Sequence, residues 1–132
     1  MSSTHLLLVC GGRYFSDEEL MLEWLSKLQP SAVIHGGASG ADNQAGSVAR
    51  AMGIPVTVYP ANWKKYGRSA GPRRNQEMLE ALRDAALAGW TVKVLAMPGG
   101  KGTADMVRRA TEARFEVVGP GVEQQKESGH GV

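Results

Sequence analysis

The sequence predicts an α/β, Rossmann-like three-layer sandwich built on a parallel sheet of about five strands. Three observations carry that prediction. Short, continuous apolar runs alternate with amphipathic stretches. Those stretches are long enough to be helices crossing over between parallel strands. Several of the apolar runs end in a glycine pair, the punctuation of a strand leading into a turn. A chain of 132 residues has room for one such domain, expected over residues 1–118, with a polar, glycine-rich flexible tail over 119–132.

The elements follow in order. Leu6 to Cys10 is a buried strand closed by Gly11-Gly12. Ser16 and Glu19 form a capping box for a helix whose inner face is Met21, Trp24, Leu25 and Leu28, stopped before Pro30. Ala32 to His35 is the second strand, closed by Gly36-Gly37. Ala41, Ala45, Val48, Ala49 and Met52 mark a second helix ending at Gly53, and Pro55 to Tyr59 a third strand. Residues 60–72, with Pro60, Gly67, Gly71 and Pro72, read as a long irregular loop, and loops of that length are usually functional. Pro72 suits a first helical position, placing Arg73 and Arg74 in the first turn of a third helix that carries Met78, Leu79 and Leu82 inward. Val92 to Met97 is the fourth strand, Thr103 to Arg114 the fourth helix, and Phe115 to Val118 the last strand.

Composition narrows the classes of function. The longest apolar run is far too short to span a bilayer, and the first residues lack the basic start of a secretory signal, so a cytoplasmic protein with no membrane partner is expected. One cysteine excludes an internal disulfide and a multi-cysteine metal site; no metal or redox cofactor is implied. The net charge of +2 is unevenly spread: residues 43–76 hold Arg50, Lys64, Lys65, Arg68, Arg73 and Arg74 with no acid among them. Such a segment favours an anionic ligand, phosphate or nucleic acid, unless the acidic first helix balances it across space.

In a parallel sheet the carboxyl ends of all strands share one edge, where ligands bind. Glycine pairs after strands one, two and four therefore bring Gly11, Gly12, Gly36, Gly37, Gly99 and Gly100 to that edge. Without a Cβ, their backbone N–H groups are free to approach an anion. Arg13 follows the first pair and is placed to reach across the crevice. Gly100-Lys101-Gly102 lacks the third glycine of a dinucleotide fingerprint, and a nucleophile elbow over Gly37 to Ala41 would have only His130, in the tail, as its downstream histidine.

Taken together, Gly11-Gly12-Arg13, Gly36-Gly37-Ala38-Ser39-Gly40-Ala41-Asp42, Gly71-Pro72-Arg73-Arg74-Asn75 with Met78, and Pro98-Gly99-Gly100-Lys101-Gly102-Thr103 resemble the SLOG superfamily and its small YspA/YpsA-related branch. The resemblance implies a Rossmann-like fold binding a phosphate-bearing nucleotide, and homo-oligomers. It selects Gly11, Gly12, Arg13, Gly36, Gly37, Ser39, Asp42, Arg73, Asn75, Pro98, Gly99, Gly100, Gly102 and Thr103 as ligand-binding residues. Two relatives bracket the activity. The LOG enzymes release a base from nucleoside 5′-monophosphates. Arg74 and Met78 match their Arg-Lys-x-x-Met motif, with Asn75 in place of lysine. Pro98 to Thr103 match Pro-Gly-Gly-x-Gly-Thr, but Met106 stands where the motif ends in glutamate. Asp105, one position earlier and turned about 100° around the helix, is the candidate catalytic carboxylate beside a catalytic Arg74. The DNA-processing protein Smf is similar over Gly37 to Ala45, so the alternative is single-stranded nucleic acid stacked on Trp63 and Tyr66 beside Lys64, Lys65 and Arg68. Asp42 serves either as a cap, through Ser39-x-x-Asp42, or as a ribose or base contact. Three indoles, Trp24, Trp63 and Trp90, have few obvious places to be buried in so small a sheet, which also argues for self-association. Truncation of Arg74 is expected to change stability by no more than about 1 kcal/mol, as at most surface positions.

Overall fold

The computed structural model describes residues 4–122. Five strands, β1 (His5–Cys10), β2 (Ala32–His35), β3 (Val56–Val58), β4 (Thr91–Ala96) and β5 (Glu116–Val118), form one parallel sheet in the order β3-β2-β1-β4-β5. The helices are α1 (Glu18–Leu28), α2 (Ala41–Ala51), the four-residue α3 (Trp63–Tyr66), α4 (Ala70–Leu87) and α5 (Lys101–Glu112). This is the Rossmann-like α/β sandwich that the alternation of runs predicted.

Side chains alternate across β1 with the period of a strand, and the two faces bury different helices. Leu6, Leu8 and Cys10 face α4 and α5, packing with Met78, Leu79, Leu82, Met106 and Ala110. Leu7 and Val9 face α1 and α2, packing with Met21, Leu25, Ala45, Val48 and Ala49. Leu8 is fully buried, so Leu8→Ala would cost about 2–5 kcal/mol. Trp24 and Trp90 pack against these two cores, which removes the argument for self-association from homeless indoles; Trp63 alone of the three stays exposed.

The chain winds outward from β1 to β3, then crosses the sheet so that β4 lies on the other side of β1. The carboxyl ends of β1 and β4 are thus the topological switch point, where a parallel α/β sheet opens a crevice. Pairing of these strands persists to the crevice edge, since Met97 N–H donates to Cys10 C=O at 2.9 Å.

Several local expectations change. Asp17, not Ser16, caps α1, accepting from Leu20 N–H at 3.0 Å. The expected loop over 60–72 is largely helical: Asn62 caps α3 by accepting from Lys65 N–H, a 3-10 turn spans Gly67–Ser69, and α4 begins at Ala70. Pro72 is therefore the third residue of α4, tolerated because first-turn N–H groups have no intrahelical acceptor. Arg73 and Arg74 consequently follow the first three residues rather than opening the helix. Residues 120–122 of the expected tail form a helical turn with Gly121 buried and Val122 against the core; the remainder of the tail lies outside the described residues. Among the described residues, no helix is long and apolar enough to cross a membrane.

Candidate functional site

A cleft of about 1240 Å³ lies at the switch point. Its walls come from the turns after β1 and β4, the start of α2, the start of α5, and one face of α4. On α4 that face is Gly71, Arg74, Asn75 and Met78, spaced i, i+3, i+4 and i+7, one stripe of a helix. The mouth carries Arg13, Arg68, Arg74 and Lys101 against two carboxylates, Asp42 and Asp105.

The three glycine turns are stitched to one another. Gly12 N–H donates to Pro98 C=O at 2.8 Å, and Gly12 C=O accepts from Ala41 N–H at 3.1 Å. Gly40 makes this possible: its φ is +83°, and a Cβ there would collide with the backbone of Gly12 and Arg13. The turn after β2 is likewise satisfied from within. Gly36 and Ala38 N–H groups both donate to Asp42 Oδ2, at 3.1 and 3.3 Å, and Gly37 N–H donates to His35 Nδ1 at 3.0 Å. Glycine here serves close packing between turns, so the N–H groups of Gly12, Gly36 and Gly37 already have protein acceptors. The start of α5 differs. Its N-cap residue is Gly100, which has no side chain to cap the first turn, and the turn opens on the cleft through Gly100, Lys101, Gly102 and Thr103. Such a terminus favours an anion.

Asp42 neither caps α2, whose N-cap is Gly40 without a side-chain bond, nor stands free. It is buried at the cleft wall, folding the β2–α2 turn around its carboxylate. Burial pushes its carboxyl up to about 6, with the Ala38 N–H, the Arg74 guanidinium and the Gly36 N–H opposing. Cys10 lies buried at the cleft floor, its thiol pushed up by burial and then by the Asp42 carboxylate, so it is a packed hydrophobe rather than a nucleophile. Burial, with Arg50 and Arg74 nearby, lowers the His35 imidazole.

Arg74 is half-buried and bonded within the protein, which raises the stability cost expected of its truncation. Its Nη1 donates to Gly36 C=O, joining α4 to the turn after β2, and its Nε donates to Asn75 Oδ1 at 3.0 Å. A Cβ on Gly36 would meet the guanidinium, so a larger residue at 36 would push Arg74 out of this position. Asn75 in turn donates to Asp105 Oδ2 at 3.0 Å and to Gly102 C=O at 3.3 Å. Asp105 lines the cleft, but both its oxygens are engaged: Oδ1 by Arg108 at 2.8 Å, Oδ2 by Arg109 at 2.8 Å and by Asn75. Burial alone would raise this carboxyl; the bonds from Asn75, Arg109 and Arg108 outweigh it and hold the group below the usual carboxylate range. Met106 fills the core beneath.

The expected site residues thus divide. Gly11, Gly12, Arg13, Ser39, Asp42, Arg74, Asn75, Pro98, Gly99, Gly100, Gly102, Thr103 and Asp105 line the one cleft. Gly36 and Gly37 lie behind it, holding Arg74 and the turn. Arg73 is outside: one helical step from Arg74, its guanidinium stacks on Tyr66 at 4.2 Å and its Nε donates to Ser69 Oγ at 3.1 Å. Trp63 was assigned to a nucleic-acid surface or to self-association, yet it lines the cleft with Arg68. The stripe Gly71, Arg74, Asn75, Met78 was the signal that would have led from Arg74 to the neighbours of Gly71.

Fold and cleft define a Rossmann-like α/β protein with a basic-rimmed cleft at the switch point. The sequence model of the YspA, cpYpsA-related SLOG family matches residues 6–66, from β1 through α3. The chain is also similar to the "Gene 61 protein" of Mycobacterium phage D29, with 34% identity over 124 residues, covering 85% of this chain and 93% of that protein. It belongs to this SLOG family.

Proposed function

We propose that the cleft binds a nucleotide or nucleotide-derived phosphate ligand and that the protein works as a binding or sensor domain. One observation carries this reading: the uncapped start of α5 and the Arg74 guanidinium line the same switch-point cleft. A phosphate at such a site would accept from first-turn N–H groups and from a guanidinium preorganised by Gly36 and Asn75. Membership of the SLOG family supports a nucleotide-related ligand.

Binding is favoured over base release by the state of Asp105. Hydrolysis of an N-glycosidic bond needs a carboxylate to stabilise an oxocarbenium-like centre or to activate water. Asp105 has given both oxygens to Asn75, Arg108 and Arg109, and position 106 is a buried methionine. Single-stranded nucleic acid is a weaker reading, because the Tyr66 ring that would continue a stacking track is already covered by Arg73 and Lys65.

The test is calorimetric titration with the common nucleoside 5′-mono- and diphosphates, followed by chromatography for free base. Binding without base is expected. Base release at catalytic rates would move the protein to the hydrolases, and failure of every nucleotide to bind would overturn the reading altogether.

A further inference from the structure

We propose that Trp63 is the stacking wall of the cleft, so that the ligand carries a nucleobase and not only a sugar phosphate. The proposal rests on the nucleotide reading above and names the part of the ligand that reading leaves open.

The α4 stripe sets the geometry. Gly71 lies one turn before Arg74 on the cleft face, and the space a side chain would take at 71 is used by the Trp63 indole. A Cβ on residue 71 would stand 3.3 Å from Trp63 Cη2. The ring is thus seated by one edge on α4, yet it remains 60% exposed and lines the cleft. Its helix is short but braced at both ends. Asn62 caps it through Lys65 N–H at 3.1 Å, and Tyr66 is held against α4 by Arg73. Burying an exposed indole against a flat apolar ring is favourable, and aromatic faces stack well on nucleobases. One turn of helix, about 5 Å, separates the residue that seats the indole from the one that bears the guanidinium. A planar ring joined to an anion matches that pairing, and a free mononucleotide is such a molecule. Tyr14 also reaches the cleft but is 88% exposed, its ring accompanied by Arg13 at a loose 5.7 Å, so it lacks a comparable seat. A single seated ring suits one base rather than a strand of them.

The experiment compares wild type, Trp63→Ala, Trp63→Phe and Gly71→Val, titrated with the four common nucleoside 5′-monophosphates, with ribose 5-phosphate, and with a short single-stranded oligonucleotide. Wild type should bind at least one mononucleotide about tenfold or more tightly than ribose 5-phosphate, with quenching of tryptophan emission. Trp63→Ala should erase both the preference and the quenching while leaving ribose 5-phosphate affinity unchanged. Trp63→Phe should keep part of the preference. Gly71→Val, which displaces the indole without removing it, should lose part of it. Equal wild-type affinity for nucleotides and ribose 5-phosphate, or a preference that survives Trp63→Ala, would overturn the role of Trp63 while leaving phosphate binding intact. Tighter, Trp63-dependent binding of the oligonucleotide would overturn the mononucleotide assignment. If no probe binds wild type, the nucleotide reading itself falls, and this proposal with it.

Discussion

Asn75 and Asp105 are joined by an amide-to-carboxylate hydrogen bond of 3.0 Å that ties α4 to α5 across the cleft floor. The same amide accepts from Arg74 Nε, so the carboxylate that resembles a catalytic group stands two bonds behind the guanidinium and orients it. A chain of polar contacts from Arg109 through Asp105 and Asn75 to Arg74 thereby fixes the cation at the cleft wall.

Arg74→Ala is expected to lower stability by about 1–2 kcal/mol in urea denaturation, because Gly36 C=O loses a charged donor and Asn75 loses a partner. Nucleotide affinity should fall by about 2–3 kcal/mol in calorimetry. Arg74→Lys should recover some stability and little affinity, since an ammonium cannot span two acceptors as a planar guanidinium does.

Asp105→Asn should flatten the acid limb of the stability curve. The folded carboxyl lies below its unfolded value of 3.8, so its contribution is complete above that value and is lost as pH falls through the folded one. Melting temperatures of wild type and variant should therefore converge in acid. Divergence there would mean that the bonds from Asn75, Arg108 and Arg109 do not form in solution.

Asp42 titrates in the opposite sense. Its folded carboxyl, at about 6, lies above the unfolded 3.8, so the folded chain binds the extra proton between them. Stability from this group rises as pH falls through that window. Asp42→Asn keeps an acceptor for Gly36 and Ala38 N–H and should remove this rise. Asp42→Ala leaves both donors unmet and should cost about 2 kcal/mol at neutral pH. Melts from about pH 4 to 7 on the three proteins separate the effects.

Gly40→Ala should destabilise by about 3 kcal/mol or more, since a Cβ meets rigid backbone and the residue keeps a positive φ. Gly53→Ala is the control: its φ is +77° but nothing lies within 4 Å of the added carbon, so its cost should stay near 1 kcal/mol. Equal costs in urea denaturation would show that the Gly40 contact is not tight.

The fold was legible because each signal was local: Leu6 to Cys10 is a continuous apolar run, Val92 to Met97 is broken only by Lys93, and the glycine pairs mark where they stop. Arg74 was legible through its spacing to Met78. Its neighbour Arg73 was not separable from it, because one residue of helical phase, about 100°, decides which guanidinium meets the cleft. Residues 60–72 misled because Gly67, Gly71 and Pro72 look like breakers, whereas Gly71 and Pro72 sit where a first helical turn tolerates both. What the glycine N–H groups bond to depends on turns brought together by the sheet, and no local pattern reveals that Pro98, Asp42 and His35 take them.

Gly12 accepts from Ala41 and donates to Pro98 through one short stretch of main chain, so the turns after β1, β2 and β4 are tied into a single rim. A redesign of this protein therefore cannot treat those turns as interchangeable cassettes. A foreign loop grafted after β4 must return a carbonyl to the place Pro98 holds, or the mouth shaped by the other two will lose its register along with it.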